Sequence, residues 1–437
     1  MDLKADLLLT NGIIVTVDNE NNIIQNGDVA VKNGKIIKIG KNLDIKADKK
    51  ESLCGSIIMP GLINSHTHAA MTLLRGFSDD LPLMEWLDEI SPAERSLEAG
   101  DVYAGTFLAC LEMLKAGTTC FADMYFFEDQ AAQAAIDAGI KIIAGEGILN
   151  FQTPSALTPE HAFENTEFLF DKYKNHPLVK VCIAPHSTYL VDEKYLIRAN
   201  EFSLKHNLPM MIHVSETASE VSQLIEKTGK TPVKYLNSLG LLNKNLLAVH
   251  CVVLDEEEIE LFKKFDVKVS HNPESNMKLA SGIAPVPEML EKGICVALGT
   301  DGAASNNDLC LLSEMDTAAK LHKVNKLDPT VVSARQAVRM ATIDSARALG
   351  IEGETGSLEI GKDADFLVLN HDLPGLNPMY SPESHIVYAA SRREVRDVYV
   401  KGKKMVSNGI IVFSDTLSAI KNVNRIIDKF GKNFIKS

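Results

Sequence analysis

Two histidines one residue apart, His66 and His68, close the stretch Pro60-Gly61-Leu62-Ile63-Asn64-Ser65-His66-Thr67-His68, just after the apolar Ser56-Ile57-Ile58-Met59. At the end of a strand, residues i and i+2 project the same way because side chains alternate with period two. Both imidazoles can then reach one metal ion, and imidazole is the commonest nitrogen ligand for zinc and related metals. A lone His-x-His also occurs as ordinary polar loop residues, so the other histidines and acids must decide.

Those residues recur at the same end of short apolar runs. His186 follows run 179–184. His213 ends run 209–214, with Glu216 just beyond. His250 ends run 246–250 and His271 ends run 267–271. Asp301 follows run 294–299 in Leu298-Gly299-Thr300-Asp301-Gly302. Three imidazoles and a carboxylate, His66, His68, His213 and Asp301, make a single open catalytic site with room for water. One divalent ion per subunit is expected, Zn2+ first, although such ligands also accept Fe2+ or Mn2+. The ion lowers the pKa of its water, so Asp301 can accept a proton and His250 can hydrogen-bond the attacking oxygen. Glu216 lies where it could shuttle a proton to the substrate. His271 is expected to pack or hydrogen-bond beneath the site.

Positioning these residues requires parallel strands. Eight apolar runs can be counted in the middle of the chain: 56–63, 118–123, 140–145, 179–184, 209–214, 246–250, 267–271 and 294–299. Helical spacing separates them, as over 193–205 and 255–265. Eightfold alternation of strand and helix predicts an α/β fold, a (β/α)8 TIM barrel, with a doubly wound open sheet as the alternative. Barrel sites lie at the carboxyl ends of the strands, and the first strand closes against the eighth.

The two ends of the chain read differently. Alternating segments at 6–10, 13–17, 29–31 and 35–39 carry hairpin signals at Asn11-Gly12 and Asn33-Gly34. Segments 364–369 and 395–400 follow the same style, with turns at Lys401-Gly402 and Asn408-Gly409. Neither end is large enough for a good core. Residues 1–58 and 359–437 are therefore expected to form one composite β-sandwich, with the barrel, 59–358, inserted between them. An amphipathic helix over 416–432 closes the chain.

Composition excludes several classes. The 437 residues carry a net charge of -13, a poor prior for nucleic-acid binding, and no Lys/Arg block reverses it. Acids in Met1-Asp2-Leu3-Lys4-Ala5-Asp6 do not suit a signal peptide. No apolar stretch reaches membrane-spanning length, so a soluble, cytoplasmic protein is expected. The seven cysteines form no Cys-x-x-Cys pair, which argues against a disulfide framework and against a cysteine-ligated zinc deaminase.

Five stretches together resemble the amidohydrolase superfamily in its mononuclear aminohydrolase branch. They are the His66/His68 segment, Ile212-His213-Val214-Ser215-Glu216-Thr217, His250-Cys251, Ser270-His271-Asn272-Pro273, and Gly299-Thr300-Asp301-Gly302-Ala303-Ala304-Ser305-Asn306. Arg75-Gly76-Phe77, Glu85-Trp86-Leu87, Asp123-Met124-Tyr125-Phe126 and Gly302-Ala303-Ala304-Ser305-Asn306-Asn307 are similar to its adenosine-type deaminases. The resemblance implies hydrolytic deamination of a purine nucleoside (5-methylthioadenosine, S-adenosylhomocysteine, adenosine or 5′-deoxyadenosine) to its inosine derivative and ammonia. It implies that Glu216 protonates the ring nitrogen and His250 orients the water. It assigns Glu94 to the ribose hydroxyls, His186 and Ser305 to the nucleoside, and Trp86 to a loop over the 5′ substituent. A homo-oligomer is implied as well.

One feature departs from that pattern. The family's arginines for the amino-acid carboxylate of S-adenosylhomocysteine follow the third strand, but no arginine occurs between Arg95 and Arg198. That strand ends in Ala144-Gly145-Glu146-Gly147-Ile148, and an acid there should repel a carboxylate. Substrates with a small neutral 5′ group are therefore expected, unless a lysine such as Lys141 compensates. Rival readings are a guanine, cytosine or triazine aminohydrolase, or a cyclic-amide hydrolase. Binuclear amide hydrolases carry a carboxylated lysine at the end of strand four, where this chain has Ala184-Pro185-His186 and Lys180 falls at the wrong end. A non-catalytic binding protein would be expected to have lost ligands, and none is missing.

Overall fold

The computed structural model describes residues 4–431. The outer ends of the expected segments, residues 1–3 and 432–437, lie outside the described residues.

Both termini enter one nine-stranded sheet. Its pivot is Ile57–Pro60, which pairs in parallel with Lys4–Val15 and antiparallel with Phe366–Leu369. The strand Val395–Val400 continues the sheet, followed by Lys403–Ser407 and Ile410–Ile411. Ile23–Lys32 and Lys35–Lys41 extend the other side. Three of the four expected turns are present. Asn33-Gly34, Lys401-Gly402 and Asn408-Gly409 each hold two successive residues at φ between 48° and 75°, as tight hairpins of this kind require.

Asn11-Gly12 corrects the sequence reading. It makes no turn, because the strand runs unbroken from Lys4 to Val15. Asn11 sits at φ 59° and the register slips between Leu9 and Gly12, which marks a bulge. Asp28 holds the bulge by accepting from the Asn11 backbone N–H at 3.0 Å. Run 56–63 also divides. Gly61 separates Ile57–Pro60, in the terminal sheet, from Leu62–Thr67, which opens the parallel strands. A Cβ at Gly61 would lie 2.1 Å from Thr119 Oγ1, so the chain can cross there only without a side chain.

The middle of the chain forms two parallel sheets with helices between the strands, a mixed α/β arrangement. One contains Leu62–Thr67, Thr118–Tyr125 and Lys141–Ile148, with Val179–Val181 and Ala184–Pro185 on its edge. The other runs Met210–Val214, Leu246–His250, Lys268–His271, Val296–Leu298. Most of these strands are buried on both faces, as their unbroken apolar runs predict. Run 179–184 is interrupted at Cys182-Ile183. Bridges Ile183–Met210 and Ser187–His213 link the two sheets on one side. On the other, the Asp301 N–H donates to the His66 carbonyl at 3.0 Å.

Helix sequences fit this packing. Glu128–Ala138 buries five alanines, small enough to lie close against the strands. Asp255 and Glu258 form a capping box at the start of Glu256–Phe265. The closing helix, Thr416–Gly431, buries Val423 and Ile426 in the same apolar cluster as Trp86 and Leu73.

Candidate active site

His66 is the penultimate residue of the strand Leu62–Thr67, and His68 directly follows the strand. Both point inward beside His213, which is on Met210–Val214. His68 Nδ1 donates to the Met124 carbonyl at 2.5 Å, and His213 Nδ1 donates to the His186 carbonyl at 2.7 Å. Those bonds fix the tautomers and leave each Nε2 with a bare lone pair. His213 Nε2 nevertheless faces His66 Nε2 at 3.3 Å. Asp301 Oδ1 stands 3.3 Å from His68 Nε2 and 3.5 Å from His66 Nε2. Lone pairs and a carboxylate crowded together in this way are electrostatically satisfied by a cation, so the four residues fit a divalent metal ion. His250 can join His66 and Asp301 in the same cluster.

Polar residues beneath the cluster hold it. Asp301 Oδ2 accepts from Ser275 Oγ at 2.7 Å and Ser305 Oγ at 2.9 Å, while Oδ1 accepts from the Gly302 N–H at 2.8 Å. Asn276 donates its amide to His250 Nδ1 at 2.9 Å, and Asn272 approaches the same nitrogen at 3.4 Å. The imidazole proton is then left on Nε2, 3.7 Å from Glu216 Oε2. Asp301 at φ 61° and His250 at φ 72° occupy the left-handed region, where non-glycine residues concentrate at functional sites. Asp123 accepts from the Ala69 N–H at 2.8 Å and so fixes the backbone that follows His68. The sequence gives none of Asn272, Ser275, Asn276 and Asp123 a role of its own, although Asn272 and Asp123 fall within the family-like stretches. The available signal was their place within or just after a strand end, as in Ser270-His271-Asn272-Pro273.

A cavity of about 260 Å³ opens over the cluster. Its walls include His68, His186, His213, Glu216, His250 and Asp301, together with Glu94 and Trp86. Burial pushes the Glu216 carboxyl well above its ordinary range, and the charges of Asp301 and Glu220 push it further. A carboxyl held neutral in this way can donate a proton. Burial drives His250 down to about 3, so its imidazole is neutral. Glu94 is raised by burial, and Tyr125 Oη donates to it at 2.8 Å. Trp86 is 5% exposed and its indole N–H has no partner in the protein.

Two expectations change. Trp86 is not a loop residue; it lies with Glu94 on the helix Leu83–Arg95. Ser305 does not line the cavity but turns back onto Asp301. His271, as expected, lies beneath the site, where its Nε2 meets His322 Nε2 at 3.1 Å.

A family model for the amidohydrolase family matches residues 57–405. The chain belongs to the amidohydrolase family. It is 46% identical to a 5-methylthioadenosine/S-adenosylhomocysteine deaminase of Syntrophobacter fumaroxidans, over 98% of this chain and 97% of that one. It is 42% identical to a 5′-deoxyadenosine deaminase of Methanosarcina acetivorans, over 95% and 96% of the two chains. Among solved structures, a zinc-bound adenosine deaminase from Xanthomonas campestris superposes with a TM-score of 0.96 at 36% identity, covering 98% of this chain and 99% of that one.

In this amidohydrolase the end of Lys141–Ile148 corrects one argument made from sequence. Glu146 does not project into the cavity. It is 1% exposed and accepts from the Glu128 N–H at 3.1 Å, from Asn165 Nδ2 at 3.3 Å and from Ser155 Oγ. Burial lifts its carboxyl to about 7. It therefore does not face a substrate in the cavity. Lys141 cannot compensate for a missing arginine either, because it is buried against Asp363 at 2.7 Å and Asp365 at 2.5 Å. What the strand end offers the cavity is Gly147 and Leu149, near Phe126 and Phe151. Lys180 pairs with Glu354 at 2.5 Å, away from the cluster, and cannot bridge two metals there. Among the described residues, no helix is long and apolar enough to cross a membrane.

Proposed function

We propose that this amidohydrolase deaminates adenosine-type nucleosides with a small neutral 5′ group, releasing ammonia and the inosine derivative. The observation that carries the reading is Glu216, a buried carboxyl 3.7 Å from His250 Nε2 and held well above its ordinary range, in one cavity with three converging imidazoles and Asp301. The relatives' names, two adenosine-type deaminases and an adenosine deaminase, supply the substrate class.

His66, His68, His213 and Asp301 would hold the ion, and the zinc in the Xanthomonas structure makes zinc our choice. Bound there, a divalent ion supplies Lewis-acid activation of the nucleophilic water. The remaining work belongs to the protein. His250 hydrogen-bonds the water and aims it at C6 of the adenine ring. Asp301 takes the proton the water gives up. Glu216 protonates N1 as the C6–O bond forms. The C6–N bond then breaks as the proton on Asp301 goes to the departing ammonia, and the proton of the C6 hydroxyl returns to Glu216 as C6=O forms. By the family resemblance, Glu94 would accept from ribose hydroxyls and His186 would meet the nucleoside. Trp86 and Phe126 offer an apolar wall to the 5′ substituent, which suits methylthio or hydrogen better than an amino acid.

The same reading includes a larger architecture. We take the two parallel sheets to be one (β/α)8 barrel of residues 59–358, supported by the bridges at Ile183–Met210 and Ser187–His213 and the bond from Asp301 to His66. Residues 1–58 and 359–437 form the composite β-domain, supported by their shared sheet. A homo-oligomer rests on the family resemblance, and a cytoplasmic location on the expectation from sequence.

The test is a panel of kcat/KM values for ammonia release from 5-methylthioadenosine, 5′-deoxyadenosine, adenosine, S-adenosylhomocysteine, guanine and cytosine. The neutral adenosines should lead. A lead for S-adenosylhomocysteine overturns the account of the 5′ wall alone, whereas a lead for guanine or cytosine overturns the substrate class.

A further inference from the structure

A second cleft, of about 430 Å³, lies at the opposite ends of the parallel strands from the active-site cavity. It is lined by Val179, where one strand begins, and by Pro209 and Asn245, each one residue before a strand. Its walls gather six cations, Lys35, Lys174, Lys180, Lys244, Arg347 and Lys401, against two carboxylates, Glu354 and Asp363. Such an excess is not a reflection of composition, since the whole chain carries -13.

The ion pairs inside the cleft do not neutralise it. Asp363 is 2% exposed and is shared by Lys35 at 2.7 Å, Lys141 at 2.7 Å and Lys401 at 2.9 Å. Only Asp365 relieves that set, through Lys141. Lys180 uses Glu354, and Arg347 uses Asp344 at 3.0 Å. Lys174 has only Asp171, at 3.6 Å, and Lys244 forms no ion pair among the described residues. Tyr173 also lines the cleft, and its buried hydroxyl has no hydrogen-bond partner.

We propose that this cleft binds a small phosphate-bearing anion. Lysines contributed by separate segments act as point charges that converge on one compact, multiply charged group, which is how phosphate is commonly held. Carboxylate recognition would favour a bidentate arginine, and both fork nitrogens of Arg347 are occupied, Nη1 by Asp344 at 3.0 Å and Nη2 by Asn19 at 3.1 Å, whereas each lysine ammonium keeps further donors. The volume falls in the range of small-molecule pockets, roughly 300–1,000 Å³. A polymer would need a basic stripe along the surface instead of an enclosure. The anion would bridge the terminal sheet, through Lys35 and Lys401, to the strand bases, through Lys180 and Lys244.

The experiment is calorimetric titration of the metal-loaded full chain with inorganic phosphate and with uridine 5′-monophosphate, in phosphate-free buffer of low ionic strength. The pyrimidine keeps the probe from acting as a substrate. The comparison protein carries Lys174→Glu and Lys244→Glu, both at exposed positions. Saturable binding to the wild type, weakened about tenfold or more in the double variant, is expected, with nucleoside turnover unchanged. Tighter binding of the nucleotide would identify a phosphorylated metabolite as the occupant, and equal binding would identify phosphate itself. Absence of saturable binding at millimolar ligand overturns the proposal. So does binding that ignores the two charge reversals, or tighter capture of a single-stranded oligonucleotide with a steep salt dependence. Because the readout is binding, its failure leaves the deaminase reading standing, and the failure of that reading leaves this one standing.

Discussion

Asp301 receives more designed contacts than any other acid in the cavity. Ser275 and Ser305 hold Oδ2, the Gly302 N–H holds Oδ1, and His66 and His68 approach from the open side. Residues that orient a ligating side chain typically govern 10–100-fold of metal affinity or activity. Ser275→Ala should therefore lower kcat/KM about tenfold or more and speed metal loss to a chelator, and Ser305→Ala should do the same. Both variants should fold normally. Unchanged metal retention in both would contradict this role. The contrast between the two serines shows what the sequence could reveal. Ser305 is named through the family-like stretch Gly299–Asn306, but four residues after Asp301 it turns back over that carboxylate and away from the cavity. Ser275 and Asn276 lie on a six-residue helix, Pro273–Lys278, too short for any periodic signal to mark them. The histidines were legible because each ends or closely follows an apolar run.

At the scale of single elements, the misreadings have one cause. Glycine after asparagine marks either a turn or a bulge, and only the partner strand decides between them. At Asn11-Gly12 the pairing with Ile23–Lys32 continues past the site, so a bulge results. Gly61 likewise gave no signal that a run serves two sheets. Gly61→Ala should drive Cβ into the fully buried Thr119 and cost about 1–3 kcal/mol, read as a fall in Tm. A variant as stable as wild type would contradict the tight crossing.

The strand Lys268–His271 and the helix Leu311–Lys326 meet through His271 and His322. Burial holds His322 at about 4, and burial with the charge of His322 holds His271 well below its ordinary value. Unfolded imidazoles titrate near 6.5, so below that pH the unfolded chain binds protons that the folded one refuses. Stability contributed by the pair is full above about 6.5 and is lost as pH falls toward 4, at up to about 1.4 kcal/mol per pH unit for each imidazole. His322→Gln should flatten the decline of Tm over that window. A slope identical to wild type would exclude the pair as its source.

For the molecule as a whole, the joint between the terminal sheet and the parallel strands is electrostatic at its centre. Lys141, at the start of its strand, is buried against Asp363 and Asp365 from the far end of the sequence. Lys141→Met leaves buried carboxylates short of a partner and should cost about 3–5 kcal/mol, measured by denaturant unfolding. A loss below about 1 kcal/mol would show the pair to be replaceable. The composite sheet was legible from the matching style of the two termini. The ion pair was not, because nothing in the sequence couples residues 141 and 363. Likewise, the lack of arginine was legible, but the burial of Glu146 was not, since alternation along Lys141–Ile148 cannot distinguish the cavity side from the helix side. The most direct test of what the site does is to incubate the zinc-loaded protein with 5-methylthioadenosine and measure ammonia and the purine product together, beside a Glu216→Gln variant. The account predicts ammonia and the inosine derivative in equal amounts, with turnover reduced at least about a hundredfold in the variant. No ammonia from the wild type, or near-normal turnover in Glu216→Gln, would contradict it.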